Sequence, residues 1–146
     1  MAQEIAAARA AIDELTRIFF GAFSNQSGAG PDIDVLYRIF IPQAVIARRN
    51  GEACEICDLR GFIEPRRNLL TEGRLIDFHE EEVSGRTEIF GGIAQRFCTY
   101  RKAGILDGRA FAGRGVKTIQ FILVDGGWKI GALAWEDEAV SSGTAA

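Results

Sequence analysis

The chain has 146 residues, enough for one domain with a sizeable core but too few for two comfortable ones. Seventeen Lys and Arg against twenty Asp and Glu leave a formal charge of −3, without the basic excess of a dedicated nucleic-acid binder. A composition 47% hydrophobic and 25% charged, with no apolar run near the roughly 20 residues of a membrane span, excludes a disordered chain, a collagen, a coiled coil and a helical membrane protein.

Ile5, Ala8, Ile12, Leu15, Phe19 and Ala22 recur at steps of three and four, which predicts an N-terminal amphipathic helix. The turn formers from Ser24 to Pro31 end it. A short second helix, capped by Asp32 or Asp34, is expected to run to about Phe40, with Pro42 as its stop. Two short strands follow, Ala44 to Arg49 and Ala53 to Cys57, joined by a turn at Asn50-Gly51. A third helix fits Leu59 to Glu72, with Asp58 as cap and Gly73 as stop; Pro65 either kinks it or marks its first turn.

The remainder reads as four long strands. The first spans Arg74 to Ile89, with a bulge at Ser84-Gly85, and Gly91-Gly92 turns the chain. The second spans Ile93 to Lys102, and a longer connection covers Gly104 to Gly113. The third spans Arg114 to Asp125, Gly126-Gly127 forms a turn, and the fourth spans Trp128 to Glu136. Residues 1–140 are expected to form a single domain, with 141–146 as a flexible tail. That last turn would put Asp125 opposite Trp128. One face then carries Ile119, Phe121, Leu123, Trp128, Ile130, Ala132 and Ala134 toward the helices. The other carries Thr118, Gln120, Ile122, Leu133 and Trp135. This is too apolar for bulk solvent, so it is the expected homodimer face, with Thr118, Gln120, Leu133 and Trp135 at its centre.

Three cysteines do not make a disulfide framework in a chain of this length. The first 23 residues have no basic leading region and carry Glu4, Asp13 and Glu14, unlike a secretory or transit segment. The cytoplasm, with reduced thiols, is the expected compartment. Fourteen arginines against three lysines, with abundant Ala and Gly, point to a GC-rich bacterial source.

The order helix, short helix, two short strands, helix, four long strands resembles the nuclear-transport-factor-2-like superfamily, over residues ~3 to 138. The stretches that carry the likeness are Asp32 to Phe40, Phe62 to Arg67, Phe78 to Glu82, Gly92 to Tyr100, Thr118 to Phe121, Gly127 to Ile130 and Trp135-Glu136. Within that superfamily they look like an uncharacterised bacterial group near the polyketide-cyclase-like (SnoaL-like) branch. The resemblance implies an α+β fold of the cystatin-like type. In it a cone-shaped curved antiparallel sheet wraps around the N-terminal helix and two further helices. It also implies dimerisation through the outer sheet face. Some members are isomerases, lyases or cyclases and others are silent association modules, so the fold leaves the activity open.

His79 is the only histidine, and it lies in the run Phe78-His79-Glu80-Glu81-Glu82. It is a candidate general acid or base, although alternation places it opposite Phe78 and Glu80. The acidic run must divide between faces, so Glu80 is a candidate buried carboxylate. Alternatively these acids pair with Arg96 and Arg101 in a cross-strand ladder. Tyr100 and Tyr37 are candidate phenol donors to a ligand. The expected ligand pocket is lined by Phe19, Tyr37, Phe62, Phe78, Phe121 and Trp128 and takes a small apolar molecule. The alternative is a non-catalytic homodimer whose cone is filled by its own aromatic side chains. Cys54 and Cys57 have C-x-x-C spacing but lie on a predicted strand, and a zinc site would need further ligands the chain scarcely has. Neither a metal nor a cofactor is expected, since phosphate-loop, G-x-S-x-G and H-E-x-x-H patterns are all missing.

Overall fold

The computed structural model describes residues 2–139, so the expected tail at 141–146 lies outside the described residues. Helix α1 spans Ala2–Gly21 and buries Ala8, Ile12, Thr16, Phe19 and Phe20, with Ile5 left exposed one turn before that stripe begins. The buried Thr16 hydroxyl donates to the Ile12 carbonyl at 2.8 Å, which satisfies it inside the helix. After a 3-10 turn at Ile33–Val35, α2 is a single turn, Leu36–Ile39. Strand β1, Phe40–Asn50, starts four residues earlier than the sequence pattern predicts. It runs through Pro42 because the pairing shifts between Phe40 and Val45, and a proline without an N–H is tolerated at such an irregularity. Asn50 pairs with Ala53, so the turn into β2, Ala53–Cys57, is Gly51-Glu52, one residue later than expected. Helix α3, Leu59–Thr71, is capped by Asp58, whose Oδ1 accepts from the Gly61 N–H at 2.8 Å, and Pro65 lies inside it.

Strands β3 (Leu75–Phe90), β4 (Ile93–Leu106), β5 (Arg109–Val124) and β6 (Gly127–Asp137) follow. The expected connection from Gly104 to Gly113 is replaced by strand. Leu106 pairs with Arg109 across Asp107-Gly108, both at positive φ. Asp-Gly suits a two-residue hairpin turn in which both residues take the left-handed conformation. The same chemistry recurs at Asp125-Gly126, so Val124 faces Gly127 and Leu123 faces Trp128.

The six strands form one sheet in the order β2-β1-β6-β5-β4-β3, antiparallel except for β1 against β6. The sheet curves without closing and the helices fill its concave side, with α1 against β3 and β6 and α3 against β1 and β3. This is an α+β cone. Its wall is an aromatic cluster in which Phe19 meets Phe20 and Phe23 edge to face, and Phe62 meets Phe23 and Trp135. Each such ring contributes about 1.5–3 kcal/mol by burial.

A bulge in β6 corrects the expected faces. Phe121 pairs with Ile130, but Gln120 pairs with Ala132, so Gly131 is the extra residue and the alternation inverts beyond it. Leu133 and Trp135 therefore point into the cone, while Ala132 and Ala134 lie on the outer face. Asn25, buried after α1, ties that segment to α3 and β3. Its Nδ2 donates to the Leu70 and Leu75 carbonyls at 3.0 and 2.8 Å, and its Oδ1 accepts from the Phe78 N–H at 2.7 Å. No helix among the described residues is long and apolar enough to cross a membrane.

Candidate functional site

A cavity of about 300 Å³ lies inside the cone between α1, α3 and the concave face of the sheet. Its apolar walls come from Phe19 and Phe23 of α1, Phe62 and Leu69 of α3, and Phe78, Phe111 and Trp135 of the sheet. Its polar groups are Arg48 on β1, Arg66 on α3, Glu80 on β3, Lys102 on β4 and Lys117 on β5. Each of the strand residues is there by parity. Arg48 follows the buried Ala44 and Ile46 at steps of two, Lys102 follows Cys98 and Tyr100, and Lys117 precedes Ile119 and Phe121.

Lys117 is the most deeply placed of these, 4% exposed. Its Nζ lies 4.0 Å from the centre of the Tyr100 ring and 5.0 Å from that of Trp135, with Phe19 and Phe20 rings at 5.8 Å. Aromatic faces attract an ammonium but replace its hydration shell only in part. Its carboxylate neighbour is Glu80, whose Oε1 is 3.5 Å away. Burial lowers the Lys117 pKa; the Glu80 charge opposes the shift and Lys102 adds to it.

A second polar group borders this one. Asp137 accepts the Tyr100 hydroxyl and the Lys102 ammonium, the latter at 2.9 Å, with Arg48 Nη2 at 3.5 Å. Burial works to raise the Asp137 pKa, but the hydrogen bonds from Tyr100 and Lys102 outweigh it and hold the carboxyl below its ordinary value. The Tyr100 phenol moves the other way, raised first by burial and then by donating to Asp137. Glycine is required beside it. A Cβ on Gly115 would collide with the Tyr100 hydroxyl and with the Glu136 carbonyl.

Arg66 lies over two rings, its guanidinium carbon 4.3 Å from the Phe62 centroid and 5.3 Å from that of Trp135, and it donates to the Phe62 carbonyl. Burial lowers its pKa, though a guanidinium keeps its proton. Arg48 Nε is buried with no hydrogen-bond partner among the described residues. Four cations thus meet two carboxylates, Glu80 and Asp137, around an apolar chamber.

Of the residues singled out from sequence, Phe19, Phe62, Phe78 and Glu80 line this cavity, and Tyr100 lies directly beneath Lys117. Trp135, expected on the outer face, is part of the lining because of the Gly131 bulge, and Leu133 is 2% exposed in the core. Three of the expected pocket residues do not line it. Tyr37 is 37% exposed and donates to Glu64 at 2.6 Å; Phe121 is buried away from the chamber; Trp128 packs half-buried against the core at the start of β6. His79 stands on the outside of β3, with Nδ1 3.1 Å from Gln26 Nε2 and Nε2 4.0 Å from Glu81. The rest of the acidic run forms cross-strand ion pairs: Glu82 takes Arg96 through two contacts of 2.7 Å, and Glu81 takes Arg101. Thr118 and Gln120 lie on the outer face. Cys54 is exposed and Cys57 half-buried on β2. Sequence reasoning missed Arg48, Arg66, Lys102 and Lys117. The available signal was a cation at a strand position sharing parity with core residues, and for Arg66 a position one turn beyond Phe62.

No family model matches the chain, and no curated protein matches its sequence. Solved structures do match in three dimensions. An NTF-2-like protein of unknown function from Silicibacter pomeroyi is 17% identical, with 92% of this chain and 98% of that one covered at a TM-score of 0.63. An NTF2-like superfamily protein from Salmonella enterica is 10% identical, with 95% and 96% covered at 0.76. A hexachlorocyclohexane dehydrochlorinase, LinA type 3, from Novosphingobium barchaimii is 19% identical, with 95% and 92% covered at 0.76. The chain has the nuclear-transport-factor-2-like fold.

Proposed function

We propose that the cone is a binding chamber for a small molecule with an apolar body and an anionic end. The observation that carries this reading is the charge of the chamber. Arg48, Arg66, Lys102 and Lys117 exceed Glu80 and Asp137, and Arg48 Nε is a buried donor without an acceptor among the described residues. A buried unpaired N–H costs about 1–3 kcal/mol, which a ligand carboxylate would recover. This sharpens the apolar ligand expected from the fold resemblance and the aromatic lining: the walls take the body, and the cations select a charged head. The open volume supports a binding chamber over a cone filled by its own side chains. A dehydrochlorinase among the similar folds supports a cone that accepts small molecules.

Calorimetric titration with phenylacetate and with its neutral analogue 2-phenylethanol tests the reading. The anion is expected to bind about tenfold or more tightly than the alcohol, and Arg48→Met to erase most of that preference. Equal binding of the two, or binding of neither, overturns it.

The proposed partner is a second copy of the chain, docked on the outer sheet face. Support comes from the register across β4, β5, β6 and β1. Phe97 is level with Thr118, Ala134 and Ala47, and Gln95 with Gln120, Ala132 and Val45. Phe97 and Val45 are 47% and 53% exposed beside a floor of small residues, a shape that suits close approach of another sheet.

A further inference from the structure

The binding reading does not use the reactivity of Lys117. A chamber meant only to hold an anion needs a cation near its mouth, where hydration costs little. Lys117 is instead at the bottom, enclosed by four aromatic rings and touched by one carboxylate at 3.5 Å. Its side chain lines the cavity, so a ligand in the chamber reaches it. We propose that Lys117 is an amine nucleophile that forms an imine with a carbonyl compound bound in the cone, an aldehyde or ketone bearing the apolar body and anionic end described above. This proposal rests on the binding reading and adds the reacting group.

The elements packed around the ammonium supply what the step needs. Glu80 on β3 is the acceptor for its proton. The free amine then attacks the carbonyl carbon, forming a C–N bond as the carbonyl π electrons move to oxygen. That oxygen takes the proton from Glu80, and a second proton shift from nitrogen to oxygen lets water leave as the C=N bond forms. Ammonium and carbonyl become a protonated imine and one water, with no oxidant or reductant. The rings of Tyr100 and Trp135 stabilise the cationic imine as they do the ammonium. On the β4 and β6 side, Lys102 is neutralised by Asp137. Arg48 on β1, whose Nη2 lies 3.5 Å from Asp137 but whose Nε has no partner among the described residues, and Arg66 on α3 remain for the anionic end. Burial also favours the neutral amine on Lys117, in the direction the step requires.

The chain has three lysines, Lys102, Lys117 and Lys129, so the site of reaction is readable. Lys102 is held by Asp137, and Lys129 donates to the Arg38 carbonyl at 2.6 Å near the surface. The wild-type protein is incubated at pH 7 with 4-carboxybenzaldehyde and sodium cyanoborohydride, and the reduced adduct is located by peptide mass spectrometry. Binding of the unreactive 4-carboxybenzyl alcohol is measured in parallel by calorimetry. Lys117 is expected to be labelled about tenfold or more faster than Lys102 or Lys129, and Lys117→Arg to lose that label with an unchanged circular dichroism spectrum. If the alcohol binds but Lys117 is labelled no faster than the other lysines, the imine is overturned and the chamber reading stands. If the alcohol does not bind and no lysine is singled out, both fall.

Discussion

The Nζ of Lys117 lies 4.0 Å from the centre of the Tyr100 ring, and the hydroxyl at the far end of that ring donates to Asp137. One aromatic side chain thereby couples the two charged groups of the chamber: Lys117 with Glu80 on its face, and Asp137 with Lys102 and Arg48 at its edge. Tyr100 is 1% exposed, so neither group shifts without the other feeling it.

Removing one member of the buried pair leaves the other uncompensated. Glu80→Gln is expected to destabilise the protein by about 3 kcal/mol at pH 7. The double variant Glu80→Leu with Lys117→Met, apolar on both sides, should return to within about 1 kcal/mol of wild type. Urea unfolding of the three proteins checks this, and a double variant as weak as Glu80→Gln contradicts it.

Gly115 is the hinge of the Tyr100 position. In Gly115→Ala the new methyl group occupies the place of the Tyr100 hydroxyl and meets the Glu136 carbonyl as well. The strand and the ring must separate, at a cost of about 1–3 kcal/mol for an overpacked core. Loss of the bond from Tyr100 also lets the Asp137 pKa rise toward its ordinary value. In wild type the depressed pKa contributes stability that is present above the ordinary carboxylate range and lost as pH falls through the folded value. Gly115→Ala should therefore show a shallower acid limb in stability measured from pH 5 to pH 2.

Trp135 and Phe97 are expected to separate folding from association. Trp135 packs edge to face on Phe62 and beneath Arg66, so Trp135→Glu should lower the unfolding midpoint strongly. Phe97, 47% exposed on the outer face, should tolerate Phe97→Arg in the fold while shifting sedimentation from dimer to monomer. A monomeric wild type, or a Phe97→Arg dimer, removes the association proposal.

Cys98, fully buried on β4, has its thiol pushed up to about 12 from the ordinary 9.0, mainly by burial and then by the Glu82 charge. Between those values the unfolded chain releases a proton that the folded chain keeps. Its contribution is thus complete below pH 9 and is lost as pH rises toward 12. The lowered Lys117 pKa acts in the opposite sense at alkaline pH, because there the unfolded chain holds the extra proton. Cys98→Ala isolates the thiol: its stability should fall less steeply over pH 9–12, by up to about 1.4 kcal/mol per pH unit. Parallel pH profiles of the two proteins would sink this assignment.

Periodicity and turn chemistry carried much of the fold. The stripe from Ala8 to Phe19, the Asp58 cap and the long strands after Gly73 were all legible, because amphipathic spacing and local hydrogen bonds act within a few residues. Where glycines competed, local reading failed. Asp107-Gly108 and Asp125-Gly126 are the turns, since aspartate tolerates the left-handed backbone beside glycine, and this replaced an expected loop with continuous strand. The sheet face of Trp135 was decided only by the tertiary structure. One extra residue at Gly131 inverts every side chain after it, and nothing in the alternation of β6 alone announces where a bulge falls.

The chamber divides the same way. The apolar walls at Phe19, Phe62 and Phe78 follow from residues that must leave water wherever the chain folds. The charged set is different in origin. Arg48, Arg66, Glu80, Lys102 and Lys117 come from four strands and a helix and are far apart along the chain. Their signs and separations acquire meaning only when the curved sheet brings them around one cavity. A charge at a core-parity position is visible in the sequence. Whether it meets a partner, a ring or a ligand depends on long-range packing, which the residues around it do not encode.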